Sequence, residues 1–431
     1  MKRATQLGIV FLLSLITINF IYGQEVPQAA KNYTKEIKKL GGQKSVKHAL
    51  QVIDDIENET NDDLIILTEI PAPPFKEIVR AEKFKSMLEA AGAEKVWIDE
   101  VGNVIGLRKG TEDGKVVVLD AHLDTVFPEG TDVTVQKKGD TLYASGIGDD
   151  TRGLAMVIAT LKAINTAKIK TKADILFIGS VGEEGLGDLG GVKHLFQEGK
   201  DNIDSWISID GGQIGRVNNA ALGSVRYKAI FTGKGGHSWG AFGLANPHHA
   251  LGAAIKEFTL QASEYTSTGP KTSFNIGRIG GGTSVNSIPF ESWMEVDMRS
   301  VSADRLQEID VIFQKSMRKA VDEYNASGIR DAISLELVKI GDRPSGKTAV
   351  ENPLVQRAIA VSHYFNATPK LTIGSTNASI PISKGIPAIT IGRGGKGGSA
   401  HALDEWWINE NGAAAIKLAM LLTLSEAEIT K

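Results

Sequence analysis

Five short stretches of the sequence carry histidine and carboxylate groups at spacings that could hold metal and move protons. They are His122-Leu123-Asp124, Asp149-Asp150, Glu183-Glu184, Asp210 and His401. Each follows an apolar run or a glycine turn, as side chains do when they leave the end of a buried strand. In an open parallel sheet, ligands bind outside the carboxyl ends of the strands, so five such exits would converge on one crevice. Imidazole and carboxylate without sulfur suit zinc, or manganese and cobalt. The alternation of a strand puts His122 and Asp124 on one side, where Asp124 could hold the imidazole in one tautomer. Glu183 and Glu184 are adjacent and point differently, so one can bind metal while its neighbour handles protons. Each stretch alone has a plainer reading, a structural histidine or a solvated acidic pair. Together, without a cation, that many carboxylates in one crevice would repel.

The elements that must position these groups are legible as buried runs. Residues 115–121, 175–181, 206–209 and 388–391 read as strands buried on both faces. Residues 154–164 and 413–424 read as helices, and so do Ile78, Phe84, Met87, Leu88 and Ala91 by their spacing, with Gly92 as a cap. Residues 24–60 form a polar helical lead-in. Alternation of strands and helices predicts an α/β layer with a mainly parallel sheet. Around residues 213–223 the texture changes. Residues 226–231, 274–279 and 293–298 alternate apolar and polar side chains, like half-exposed antiparallel strands. Helices over 250–260 and 303–324 are interleaved with them. The domain organisation expected is a first catalytic part over 24–216, an inserted α+β domain over 217–338, and a second catalytic part over 339–431.

Composition narrows the function. The 431 residues carry 48 Lys+Arg against 51 Asp+Glu, a formal charge of −3, so no polybasic arm is present and no nucleic-acid partner is expected. There is no cysteine, which excludes disulfides, thiolate metal sites and cysteine nucleophiles. Lys2 and Arg3 precede a mostly apolar stretch over 7–22, which reads as a signal peptide over 1–23 and an exported periplasmic or extracellular product. An uncleaved membrane anchor is the alternative.

Two motifs mislead. Residues 341–348, Gly-Asp-Arg-Pro-Ser-Gly-Lys-Thr, fit the P-loop letter for letter. Asn352-Pro353 nevertheless places the helix start beyond Lys347, where free N–H groups would not meet a phosphate. Residues 185–190, Gly-Leu-Gly-Asp-Leu-Gly, fit the dinucleotide fingerprint. Glu183 and Glu184 stand directly before them, and those carboxylates would repel a pyrophosphate. That stretch reads as a glycine turn.

In the order and types of these groups the chain resembles the co-catalytic di-zinc exopeptidases, a family that includes peptidase T, glutamate carboxypeptidase, aminoacylase and succinyl-diaminopimelate desuccinylase. The resemblance runs from about Leu64 to the C-terminus. It implies a mainly parallel α/β catalytic domain with an inserted ferredoxin-like lid that dimerises. It also implies two divalent metal ions: His122 and Asp210 on one zinc, Glu184 and His401 on the second, Asp149 bridging, Glu183 as general base and Asp124 orienting His122. The lid segments match as well. Gly233-Lys234-Gly235-Gly236-His237-Ser238 resembles the stretch whose histidine meets the oxyanion, often across the dimer. The segment 281–289 resembles the one whose asparagine, here Asn286, contacts substrate. Asp297-Met298-Arg299 resembles the one whose arginine holds a substrate carboxylate.

There are departures. Arg152 follows Asp150-Thr151 where a lysine is common. Asn377 stands where an Asp is common, which bears on substrate recognition. The function implied is zinc-dependent cleavage of amide bonds in short peptides by a metal-activated water. The alternatives are an N-acyl-amino-acid deacylase and a metal-dependent binding protein without turnover.

Overall fold

The structure, a computed structural model, describes residues 26–197 and 203–430. The expected signal peptide over 1–23 lies outside the described residues. Three helices, Lys31–Gly41, Lys44–Asp55 and Glu57–Thr68, form the lead-in. The main sheet runs in the order Lys95–Ile98, Val104–Arg108, Asp174–Ser180, Val116–His122, Ser205–Ile209, Ala388–Ile391, Arg216–Ala221 and Gly346–Lys347, with Lys370–Gly374 also paired to Arg216–Ala221. Its centre is parallel: Val116–His122 pairs in parallel with Asp174–Ser180 and Ser205–Ile209, and Ser205–Ile209 with Ala388–Ile391. Its margins are antiparallel except for Lys370–Gly374, which pairs in parallel with Arg216–Ala221.

The central strands are mainly apolar because each feeds two cores, with polar Asp120, Ser180 and Ser208 buried toward their carboxyl ends. Val117, Leu119 and Ala121 pack with the helices Arg152–Thr166 and Gly412–Ala427, while Val118 turns to the opposite core with Trp206 and Ile178. One residue of the spacing argument is misplaced. Ile78 opens the helix Ile78–Ala90 but is exposed, while Phe84, Met87 and Leu88 are buried. As the first residue of that helix, Ile78 faces solvent rather than the core.

The inserted unit has its own core. Its sheet runs in the order Thr272–Gly281, Glu291–Ser300, Gly223–Thr232 and Ser334–Arg343, all antiparallel. The helices Pro247–Thr266 and Ala303–Ala326 pack on it through Phe258, Phe313 and Met317. The chain order is βαββαβ, the ferredoxin-like arrangement. The sequence boundaries at 217 and 338 both fall within strands. Arg216–Ala221 belongs to the main sheet and Ser334–Arg343 to the small one, so the exchange falls at Leu222 and Pro344. A change of hydrophobic texture marks faces, and these two strands carry mixed faces at the seam.

The P-loop match is not a phosphate turn. Residues 341–343 end a strand, Gly346–Lys347 pairs with the main sheet, and the Thr348 hydroxyl donates to the Ala388 carbonyl at 2.7 Å. The helix begins at Pro353, capped by the Asn352 side chain, which accepts from Leu354 N–H at 3.0 Å.

Candidate metal centre

His122 ends its strand and is buried. Its Nδ1 lies 3.0 Å from the Asp124 carbonyl oxygen and 3.5 Å from the Asp124 carboxylate. The backbone oxygen is therefore the nearer partner that fixes the ring, leaving Nε2 to face the crevice, 3.2 Å from Asp149 Oδ1. The Asp124 carboxylate has a further task. It accepts the backbone N–H groups of Glu183 at 3.0 Å and Glu184 at 2.8 Å, so it sets the turn on which both glutamates stand. Beneath it, the fully buried guanidinium of Arg80 donates to the Leu123 carbonyl at 2.7 Å and also to Ile70.

Asp149 sits on a glycine turn that joins Thr141–Tyr143 to the helix Arg152–Thr166, and its peptide bond to Asp150 is cis. Glu405 holds this turn: it accepts N–H groups from Gly146 at 2.8 Å, Gly148 at 2.9 Å and Asp149 at 3.0 Å. Burial pushes the Glu405 carboxyl up to about 7, against the pull of those donors. The other oxygen of Asp149 lies 3.3 Å from His401 Nε2, which is 3.0 Å from Glu184 Oε1. Asp149 thus offers one oxygen to each histidine. Asp210 follows the strand Ser205–Ile209, and its carbonyl accepts from Arg216 at 2.6 Å.

Two donor sets result, His122–Asp149–Asp210 and Asp149–Glu184–His401, each with its ligand atoms within 4.8 Å of one another. His122, Glu183 and Glu184 form a third such group. Hard oxygen and imidazole donors around a shared carboxylate fit a pair of divalent cations. The electrostatics agree. Burial would raise the Asp149 carboxyl, but hydrogen bonds from His122 and His401 hold it below the ordinary range. Hydrogen bonds that His401 donates to Asp149 and then to Glu184 raise its imidazole to about 10. In the metal-free chain protons on imidazole thus compensate the carboxylates, and a cation would displace them.

Glu183 is buried beside this cluster with Oε1 3.3 Å from Arg343 Nη1, and Arg343 also donates to the Glu183 carbonyl. Burial lifts the Glu183 carboxyl well above its ordinary range, with the Arg343 charge opposing. The crevice beside these groups, about 420 Å³, is lined further by Arg216, Arg226, Arg299 and Arg343 and by Ser375 and Thr376. Arg226 and Arg299 grip opposite oxygens of Asp297, at 2.8 and 2.7 Å.

The structure brings His122, Asp124, Asp149, Glu183, Glu184, Asp210 and His401 together, with Arg299 at their edge. His237 and Asn286 lie elsewhere. They share a lid turn, where Ser238 N–H donates to the Asn286 carbonyl at 3.0 Å, and His237 is exposed and does not line the crevice of its own chain. Asn377 corrects an expectation: it does not line the crevice but is buried, with its amide 2.7 Å from both Asp120 and Ser180. A carboxylate there would face that of Asp120. Arg152 is buried and stacks over Trp407 at 4.7 Å.

Sequence reasoning missed Glu405, Arg80, Arg226 and Arg343. Glu405 and Arg80 act on backbone far away in sequence. Arg343 lies inside the stretch that matches the P-loop by its letters, and it lines the crevice beside Glu183.

A parallel-centred sheet with a carboxylate–imidazole crevice and an inserted βαββαβ lid defines a metallopeptidase-type hydrolase fold. The chain belongs to Peptidase family M20/M25/M40, which it matches over residues 118–424. It is 29% identical over 271 residues to an N-acetylcysteine deacetylase of Bacillus subtilis, covering 60% of this chain and 66% of that protein, just under two thirds of its length. It is 23% identical over 296 residues to carboxypeptidase G2 of a Pseudomonas species, covering 67% of this chain and 68% of the other. Among solved structures it superposes on aminopeptidase PepT of Bacillus cereus with a TM-score of 0.69 at 21% identity, covering 86% of this chain and 98% of the other. Likeness at that identity concerns the fold.

Proposed function

We propose that the protein hydrolyses amide bonds in short peptides as an exopeptidase, using two divalent ions, zinc foremost, with manganese or cobalt as alternatives. The observation that carries this reading is the pair of donor sets sharing Asp149, beside a buried glutamate, Glu183, for which neither of those two sets has a use. His122 and Asp210 would hold one ion, Glu184 and His401 the other, and Asp149 both. Such ions supply Lewis acidity toward the scissile carbonyl and a water ionisable near neutral pH. Glu183 takes the proton of the attacking water and returns it to the leaving amine, a transfer its raised proton affinity favours. Arg299 receives a substrate carboxylate. His237 and Asn286 complete the site from a partner's lid or on lid closure, so a homodimer through the lid belongs to this reading. We propose export as well, on Lys2, Arg3 and the apolar stretch that follows.

The likeness to an N-acetylcysteine deacetylase favours one second reading, removal of an acyl group from an amino acid. A panel of free peptides and N-acyl amino acids, assayed with and without chelator beside a metal count, separates the two. Expected are two ions per chain, chelator-sensitive release of amino acids, and a loss of roughly 10²–10⁴ in rate for Glu183→Ala with its ions retained. Two bound ions without turnover on any substrate would leave only a binding protein. Near wild-type turnover in Glu183→Ala would remove its role as base.

A further inference from the structure

Below the metal centre lies a second polar cluster, wholly buried and untouched by the mechanism above. Asp120 stands two residues before His122 with no exposed surface. Its Oδ1 accepts from the Ser208 hydroxyl at 2.5 Å and the Trp206 indole N–H at 2.6 Å. Its Oδ2 accepts from the Asn377 amide at 2.7 Å and the Ser180 hydroxyl at 3.4 Å.

The origin of these donors is informative. Ser208 and Trp206 lie on the strand that delivers Asp210. Ser180 ends the strand that delivers Glu183 and Glu184. Asp120 lies on the strand that ends at His122. Asn377 follows Ser375 and Thr376, which line the crevice. One carboxylate, on the strand that ends at His122, is thus the common acceptor for the two neighbouring ligand-bearing strands and for one wall of the substrate site. A buried charge is costly to desolvate, and apolar packing would stabilise three strands at least as well. What an apolar side chain lacks is direction. A carboxylate offers about four acceptor positions in one plane and no donor, and so fixes the angles of everything that donates to it.

We infer that Asp120 is a positioning residue for the metal centre, setting the spacing of His122, Asp210 and the Glu183–Glu184 turn through Ser208, Ser180 and Asn377. The inference rests on the two-metal reading. Groups that hydrogen-bond a metal ligand directly typically govern affinity by about 10- to 100-fold. Asp120 acts one contact further out, through Ser208, Ser180 and Asn377, and belongs at the lower end of that range.

The test uses the full chain, with metal binding measured without substrate. Asp120→Asn keeps the shape but turns an amide N–H₂ toward donors. Expected are a fall of about 10-fold in affinity for zinc by chelator competition, a changed visible spectrum of the cobalt-loaded protein, and a loss in kcat exceeding any rise in KM. The exchange Asp120→Asn/Asn377→Asp returns a carboxylate to the same cluster and should regain most of the affinity. A folded Asp120→Asn protein with wild-type affinity and cobalt spectrum overturns the inference, as does an exchange that rescues folding but not metal binding. If Asp120→Asn does not fold, Ser208→Ala carries the test: a smaller shift in the same direction supports it, and an unchanged spectrum and affinity overturn it. A wild-type chain that binds no metal removes the two-metal reading and this inference with it. Two tight ions with indifferent variants remove this inference alone.

Discussion

His401 shows what the carboxylates around it demand. Asp149 and Glu184 flank its Nε2 at 3.3 and 3.0 Å, and they carry its proton affinity from the ordinary 6.5 to about 10. A group whose pKa is raised on folding adds stability that is whole below its unfolded pKa and lost as pH rises through the folded one. The metal-free protein should therefore lose stability from about pH 6.5 toward pH 10, followed as a falling melting temperature. A cation at this site replaces the imidazole proton. At about pH 7.5, zinc binding should release on the order of one proton or more per chain, measured as the dependence of calorimetric heat on buffer ionisation enthalpy. His401→Ala should lose part of that release and one tightly held ion. Heat that is independent of buffer would mean that His401 is already neutral and is not held by those carboxylates. The side chains that meet in the crevice were legible in the sequence because histidine and carboxylate recur there at the ends of buried strands. The partners that hold them were not. Glu405 is 256 residues from Asp149, whose N–H it accepts, and no local spacing signals such a contact.

At the scale of elements, the buried strands were legible because apolar runs on both faces leave no alternative, and Val116–His122 shows this with Val117 and Val118 in different cores. The turns between strand and site were less so. The Gly185–Gly190 stretch looks like a nucleotide fingerprint by its letters, yet Gly187 answers to packing and Gly185 to a positive φ of +52°. A Cβ on Gly187 would come within 2.5 Å of the Gly182 Cα and 2.7 Å of its carbonyl carbon. The chain folds back there directly after Glu183 and Glu184, and Gly182 itself has φ +62°. Arg226 Nη1 donates to the Gly185 carbonyl at 3.1 Å, so the same turn is tied to the lid sheet. Gly187→Ala must push backbone against backbone, which costs about 1–3 kcal/mol. Denaturation should show that loss of stability, and the displaced Glu183 should lower kcat by about tenfold or more. A variant with wild-type stability and turnover would mean that the turn yields freely and does not position Glu183.

For the whole molecule, the question is what the lid contributes to a catalytic body that already holds every candidate metal ligand. The two cores share few side chains, but polar contacts cross between them at the crevice. Arg343 ends the last lid strand and reaches Glu183, and Asp342 N–H donates to Asp188 at 2.8 Å. The lid enters and leaves side by side, because Ser224 and Arg343 are paired in register. Residues 223–343 can therefore be replaced by a short glycine–serine linker from Leu222 to Pro344 without stretching the main sheet. Cutting at 217 instead would remove Val217–Ala221, which pair with Ala388–Ile391 and Lys370–Gly374, and that product should not fold. The shorter excision should give a folded body that still takes up two divalent ions, because His122, Asp149, Glu184, Asp210 and His401 all lie outside it. Its turnover should fall by about 10³-fold or more, since Arg299, Arg343, His237 and Asn286 leave together. Sedimentation should show it as a monomer if the lid carries the dimer contact. Retention of full activity would make the lid dispensable, and loss of the bound ions from a folded body would mean that the lid, through Arg343 and the Glu183–Glu184 turn, helps to build the metal centre itself.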